Sequence, residues 1–269
     1  MRAAALIALV FSMCFLSACG KRSGTGIVLA GSTSVQPYAE VLSEDYALLY
    51  PDDAVDVQGG GSAAGITAAE SGVADIGMSS RDLTDDEKQQ LWSVEIAKDG
   101  LAIIVHPKNP VQDLSLEQVR DIYSMKITKW SELGGPDANI HVITREDGSG
   151  TRSSFESLIM GTDRITPKAI VQDSNGAVRQ LVSSDPNSIG FISLGLVDQT
   201  VKALNLDNII PSRENVINGS YGLFRPFLFL SKGEPTGLAK QFIDYTMSPD
   251  GQKILMDEGL IPSAEGTNS

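Results

Sequence analysis

The sequence predicts an α/β fold, and three observations carry that prediction. Short apolar runs of strand length, such as IVLA at 27–30 and LAIIV at 101–105, alternate with longer segments of helical periodicity. Capping boxes and breaks rich in glycine or proline separate the two kinds of segment. Four strand-to-helix junctions carry glycines and hydroxyls: GSTSV (31–35), GGGSAAG (59–65), GMSSRD (77–82) and REDGSGT (145–151).

The elements follow in order. A strand over 27–30 ends at GSTS, and a helix over about 36–49 follows, with Thr33 and Gln36 placed as its capping box. A second strand at 55–57 runs into GGGSAAG and a helix to residue 70; a third, at 74–77, ends in MSSRD. Thr84 and Glu87 form a capping box for a short helix. The run at 101–105 is continuously apolar, as a buried sheet position requires. A second unit begins near residue 108. Ser115 and Gln118 open the helix SLEQVRDIY, Gly134-Gly135-Pro136 turns the chain, and a strand at 140–144 delivers REDGSGT. A helix to residue 160, another at 177–183, a strand at 188–193 and a helical turn at 213–218 come next. Residues 221–230 read as a strand in which Pro226 marks an edge or a bend. Helices over 235–247 and 249–258 close the chain.

The first 19 residues do not belong to the fold. Arg2 precedes an apolar run at 3–16 that is too short to span a membrane, and LSAC follows at 16–19. This resembles a bacterial lipoprotein signal, with Cys19 the residue that receives lipid; the alternative is an ordinary secretory signal with an incidental cysteine. Residues 20–26 make a polar tether. Cys14 falls in the removed segment, so the exported chain has no internal cysteine pair and its fold rests on its core. Hydrophobic residues make up 42% and the mean hydropathy is −0.02, the balance of a soluble globular chain without a further membrane segment. The net charge of −13, without any basic stripe, excludes a nucleic-acid backbone as partner.

The recurring junctions nevertheless point to an anion. A helix start leaves backbone N–H groups without partners and carries a partial positive charge. Glycine lets an anion approach that backbone, and serine or threonine adds a directed donor. Arg145 adds a permanent charge in a planar fork suited to tetrahedral oxyanions. Taken singly, each junction also reads as a helix cap or a flexible turn, and Arg145 as half of an ion pair with Glu146 or Asp147. Four of them at strand ends, where ligands gather in α/β sheets, argue for a site.

GSTSVQP, QGGGSAAGI, DIGMSSRDL, KITKWSELGG and ITREDGSGTRSSFE, in this order, resemble the periplasmic phosphate-binding proteins of phosphate ABC importers, as does SPDGQKIL at 248–255. The resemblance covers essentially the whole exported chain. It implies a two-lobe periplasmic-binding-protein fold of type II, with two crossover strands forming a hinge. Residues 24–105 and 223–269 would make lobe one, and 106–222 lobe two. It implies a metal-free and cofactor-free site for inorganic phosphate. Thr33 and Ser34 match the family's first loop, with Ser32 adjacent; Ser62 matches the hydroxyl of the second, Arg145 the family's arginine, and Ser149, Gly150 and Thr151 the donors of the fourth. Ser80 occupies the third-loop position where better-known members place an aspartate that accepts the phosphate proton. A serine is a weaker acceptor, so the basis for rejecting sulfate is open, with Asp147 or a backbone carbonyl as the candidate replacement. The resemblance further implies a membrane permease as partner, a monomer, and a place at the outer face of the cell membrane or in the periplasm.

Two other readings come from the same residues. Another tetrahedral oxyanion, sulfate or molybdate, fits the same donors. A serine hydrolase built on Ser149 needs a histidine base, and DGSGT is not the G-x-S-x-G elbow. The only histidines, His106 and His141, sit beside strands and read as structural, so no enzymatic activity is expected. Trp92 and Trp130 read as packing residues, and Tyr38 and Phe155 as braces for the anion loops.

Overall fold

The computed structural model describes residues 26–263. The signal, Cys19 and the tether up to residue 25 lie outside the described residues. Strand β1 (Gly26–Gly31) pairs in parallel with β2 (Ala54–Gly59) and β3 (Ile76–Ser79). Strand β4 runs 14 residues, Trp92–Val105, and pairs antiparallel with β11 (Phe224–Ser231) and then with β8 (Ser188–Ser193). Strand β6 (His141–Arg145) lies parallel to β8 and to β7 (Ile170–Gln172). The full order is β2-β1-β3-β11-β4-β8-β6-β7.

The middle of that order explains the two lobes. The stretch Trp92–Gly100 of β4 belongs with β11, and its last five residues belong with β8. The chain returns beside the same point, where the Leu101 N–H donates to the Leu223 carbonyl at 2.9 Å. One apolar core holds Leu29, Tyr38, Leu42, Ile76, Phe227 and Phe242; another holds Leu101, Trp130, Phe155, Phe191 and Leu204. Two cores joined by two strands make a hinge, because few packed side chains need to move when one core turns against the other.

Local sequence accounts for most element boundaries. Helix α1 (Gln36–Leu49) precedes β2, α2 (Ser62–Ser71) leads from β2 to β3, and α3 (Asp85–Gln90) follows β3. Capping boxes form as expected at Thr84–Glu87 and at Ser115–Gln118, the latter opening α4 (Leu116–Tyr123). The expected box of Thr33 with Gln36 does not form. The N-cap of α1 is Val35 without any side-chain cap, and Ser32 holds the loop instead. Pro226 falls at a local edge of β11, just before a bulge. It sits opposite Lys98 on β4, before the β3 pairing starts at Leu228, so its missing N–H costs no ladder bond there; the bulge lies between Phe227 and Leu228. The strand expected at 101–105 begins nine residues earlier, because Trp92–Gly100 mixes polar and apolar residues without a clean alternation.

After β6 comes α5 (Gly150–Phe155), which widens into a π-helical turn, Glu156–Met160. Helix α6 (Asn175–Ser184) packs beside β8. Short strands β5 (Asp113–Leu114) and β10 (Asn205–Leu206) pair with each other, and β9 (Lys202–Ala203) edges β4; all were too short to read from sequence. Helices α7 (Arg213–Ile217), α8 (Gly237–Met247) and α9 (Pro249–Asp257) precede β12 (Ile261–Pro262), which returns to β4 at Lys98 and Ala97.

Candidate functional site

The four glycine- and hydroxyl-rich junctions meet where the lobes face each other. From lobe one, the Ser32 hydroxyl accepts from the Ser34 and Val35 N–H groups at 3.2 and 3.4 Å and donates to Ser80 Oγ at 2.9 Å. The Ser80 N–H donates to Ser62 Oγ at 3.0 Å, and the two hydroxyl oxygens are 3.3 Å apart. From lobe two, Thr151 Oγ1 reaches Ser34 Oγ at 2.8 Å. The Gly148 carbonyl accepts from the Ala63 N–H at 3.1 Å, and Ser154 Oγ donates to the Ser80 carbonyl at 3.2 Å. These cross-lobe bonds describe a closed cleft.

Two glycines let the walls come this close. Any Cβ at Gly150 would lie 2.2 Å from Ser62 Oγ and 2.6 Å from Ser80 Oγ. Gly61 adopts φ +88, a left-handed conformation that lets the chain turn straight into α2 beneath the Gly148 carbonyl.

Arg145, at the end of β6, is 1% exposed. Its Nε and Nη2 donate to the two Glu146 carboxylate oxygens at 2.9 and 2.8 Å; Nη2 also reaches Thr33 Oγ1 and the Asp173 carbonyl, both at 3.1 Å. The ion pair with Glu146, the alternative reading of Arg145, does form, but on a buried guanidinium that it fixes in the cleft. Nη1 is buried and has no partner within the chain. Ser149 caps α5, accepting from the Arg152 N–H at 3.3 Å. Neither histidine is hydrogen-bonded to it: His141 Nδ1 pairs with Asp185, and His106 Nδ1 accepts from the Lys108 N–H. Asp147 turns outward, its side chain 92% exposed and paired with Arg152, so it is removed from any acceptor role in the cleft.

Thus Ser32, Thr33, Ser34, Ser62, Ser80, Arg145, Ser149, Gly150 and Thr151 come together, Ser149 through its place at the helix start. The aromatic braces are also in place: Phe155 stacks on Phe191 at 4.1 Å, and Tyr38 tilts against Phe227. Trp130 is fully buried, whereas Trp92 is half-buried.

Three further residues reach the site. Asn175 Nδ2 donates to Ser34 Oγ at 2.9 Å, and Arg225 Nη2 donates to the same oxygen at 3.1 Å. Asp99 accepts from Arg225 Nε and Nη2 at 3.2 and 3.0 Å and from Ser193 Oγ at 2.8 Å. Burial pushes the Asp99 carboxyl up and the Arg225 guanidinium down; their mutual attraction opposes both shifts, and the guanidinium keeps its proton. The available signal was Arg225 itself, a charge inside the apolar strand FRPFLFL. Asn175 and Asp99 carried no comparable signal.

Among the described residues no cluster of His, Cys, Asp and Glu could hold a metal ion. A two-lobe α/β sheet with two crossing strands, and donors from both lobes meeting over them, defines a type II solute-binding protein. A family model described as a PBP superfamily domain matches residues 18–250. The phosphate-binding protein PstS of Bacillus subtilis is 35% identical over 255 residues, covering 91% of this chain and 84% of its own length. The chain belongs to the PBP superfamily and, within it, to the family of PstS phosphate-binding proteins. Among solved structures, a Clostridium perfringens protein assigned as a phosphate ABC transporter substrate-binding protein, with bound phosphate, is 44% identical. It superposes with a TM-score of 0.86, over 89% of this chain and all of the other. An ABC-type phosphate transport receptor from Vibrio cholerae is 42% identical, with a TM-score of 0.74 over 88% of this chain and all of its own.

Proposed function

We propose that this chain binds inorganic phosphate between its lobes and delivers it to the membrane permease of an ABC importer. The observation that carries this reading is the buried Arg145 guanidinium, which reaches across the cleft to the Thr33 hydroxyl with Nη1 left over. Arg145 opposes the ligand charge. Thr33, Ser62 and Thr151 donate hydroxyl protons, Ser34 passing its own to Thr151, and the backbone at Gly150 and Thr151 supplies N–H groups at the helix start that Ser149 caps. Ser32 braces the first loop against the third, and Ser80 is the acceptor for the phosphate proton.

Magnitudes fit this reading. A dehydrated anion needs nearly every oxygen satisfied. Hydrogen bonds to a charged group contribute about 1.5–3 kcal/mol each, so about six to ten of them give more than ~10 kcal/mol gross. Ordering and lobe closure reduce this to the roughly 8 kcal/mol of a micromolar site.

The relatives' names support transport as the setting. Lobe one comprises 24–105 and 223–269, lobe two 106–222, and Cys19 tethers a monomer to the outer face of the membrane through a lipid. No helix among the described residues is long and apolar enough to cross a membrane. One observation favours a second reading, sulfate: among the described residues no carboxylate is hydrogen-bonded to the hydroxyls of Ser32, Thr33, Ser34, Ser62, Ser80 or Thr151. Isothermal titration decides. Saturable one-to-one binding of phosphate that survives excess sulfate supports phosphate; displacement by equal sulfate supports the second reading, and heat from neither anion overturns both.

A further inference from the structure

We propose that Arg225 is a second cation of the anion site, its Nη1 contacting the bound anion alongside Nη1 of Arg145; this rests on the phosphate reading of the cleft. The two arginines are used in the same way. Arg145 Nη2 donates to Thr33 Oγ1 and Arg225 Nη2 to Ser34 Oγ, both at 3.1 Å, so two guanidiniums hold adjacent hydroxyls of one loop. Each is almost wholly buried, 1% and 2% exposed, and each keeps a buried Nη1 without a partner in the chain. A buried charged donor left unpaired is costly, and natural structures rarely leave one without a reason. Two of them beside neighbouring hydroxyls are explained together by one anion that accepts from both.

The hydrogen-bond polarity around Ser34 agrees. Its oxygen accepts from Arg225 Nη2 and from Asn175 Nδ2, which uses both lone pairs. Its proton must then be given away, and Thr151 Oγ1 receives it at 2.8 Å, leaving the Thr151 proton free for a ligand. Arg225 and Asn175 thus turn this corner of the cleft into one that only donates. Ser34 cannot take the proton of the anion, which leaves that task to the Ser62–Ser80 side.

Arg225 also stands apart from Arg145 in where it is fixed. Its partner Asp99 lies on β4 two residues before the pairing passes from β11 to β8, and Ser193 of β8 holds Asp99 at 2.8 Å. The guanidinium is thereby anchored on both crossing strands, at the base of the cleft.

The test starts from wild-type protein titrated with inorganic phosphate; absence of binding there ends the phosphate reading and this proposal with it. Replacing Arg225 alone would strand Asp99 in the interior, so the variant to compare is R225M/D99N, which removes both charges. With ligand-free melting close to wild type, it is expected to bind phosphate roughly 10- to 100-fold more weakly, the loss of one charged contact, and R225K to recover part of that loss. The wild-type chain provides a measurement independent of variant folding. In 1H–15N spectra of the arginine side chains, the Arg225 Nη signals are expected to shift and exchange more slowly on adding phosphate. If wild type binds phosphate while the Arg225 signals stay unchanged, Arg225 makes no contact and the proposal fails, whatever the variants do. A folded R225M/D99N with wild-type affinity overturns it equally.

Discussion

Arg145 shows how a single buried charge is made tolerable. Glu146 neutralises one edge, the Gln172 and Asp173 carbonyls and Thr33 take further N–H groups, and only Nη1 remains for a ligand. Replacing it by methionine should weaken phosphate binding at least about 100-fold, or ~3 kcal/mol, since a charged contact and the order of the Thr33 loop both go; titration calorimetry reads this directly. At this scale the sequence was informative where chemistry and local structure coincide. Arg145, Ser149, Gly150 and Thr151 stand within seven residues and read as one motif. Arg225, Asp99 and Asn175 were not legible as a site, because their partners lie 18 to 191 residues away and only the crossing of β4 and β11 brings them together. Thr33 read as a helix cap since its hydroxyl suits either role; the nearby guanidinium decided it.

Elements were legible where periodicity and caps agreed, as at Thr84–Glu87. That box also carries an ion pair: Arg81 Nη2 lies 2.7 Å from Glu87 Oε1. The Arg81 guanidinium, with the Thr84 N–H, holds the Glu87 carboxyl down to about 2 from its ordinary 4.5, against a smaller opposing effect of burial. A lowered folded pKa stabilises above the unfolded value and is lost below it. About 1–2 kcal/mol of stability, after allowing for solvent screening, should therefore disappear between pH 4.5 and 2. Urea denaturation across that range should show E87Q with a flatter acid limb than wild type. Helix α5 gives a sharper case. Alanine at Gly150 should favour the helix by up to ~1 kcal/mol yet set a methyl against Ser62 and Ser80 of the other lobe. The expected result is ligand-free melting as high as wild type or higher, with phosphate affinity reduced at least about 10-fold. Strand β4 was half missed, for it serves two cores whose inward faces differ, and no single period describes all 14 residues.

Across the whole molecule, an acidic chain gathers two guanidiniums, several hydroxyls and a helix start at the meeting of its halves. The net charge of −13 does not prevent this, because salt and solvent screen distant carboxylates while the cleft donors act at contact distance. The α/β class followed from the alternation of segments, and the two-lobe form from the family resemblance that the ordered motifs carry. How tightly the lobes meet could not be read from sequence, since it depends on Gly150 facing Ser62 across the cleft. The central claim is that one dehydrated oxyanion is held by donors of both lobes together, and a crystal structure grown with phosphate tests it most directly. The expected density is a tetrahedral anion within hydrogen-bonding distance of Arg145 and Thr151 on one side and of Thr33 and Ser62 on the other. An anion held by one lobe alone, or Arg145 turned out to solvent, would contradict it.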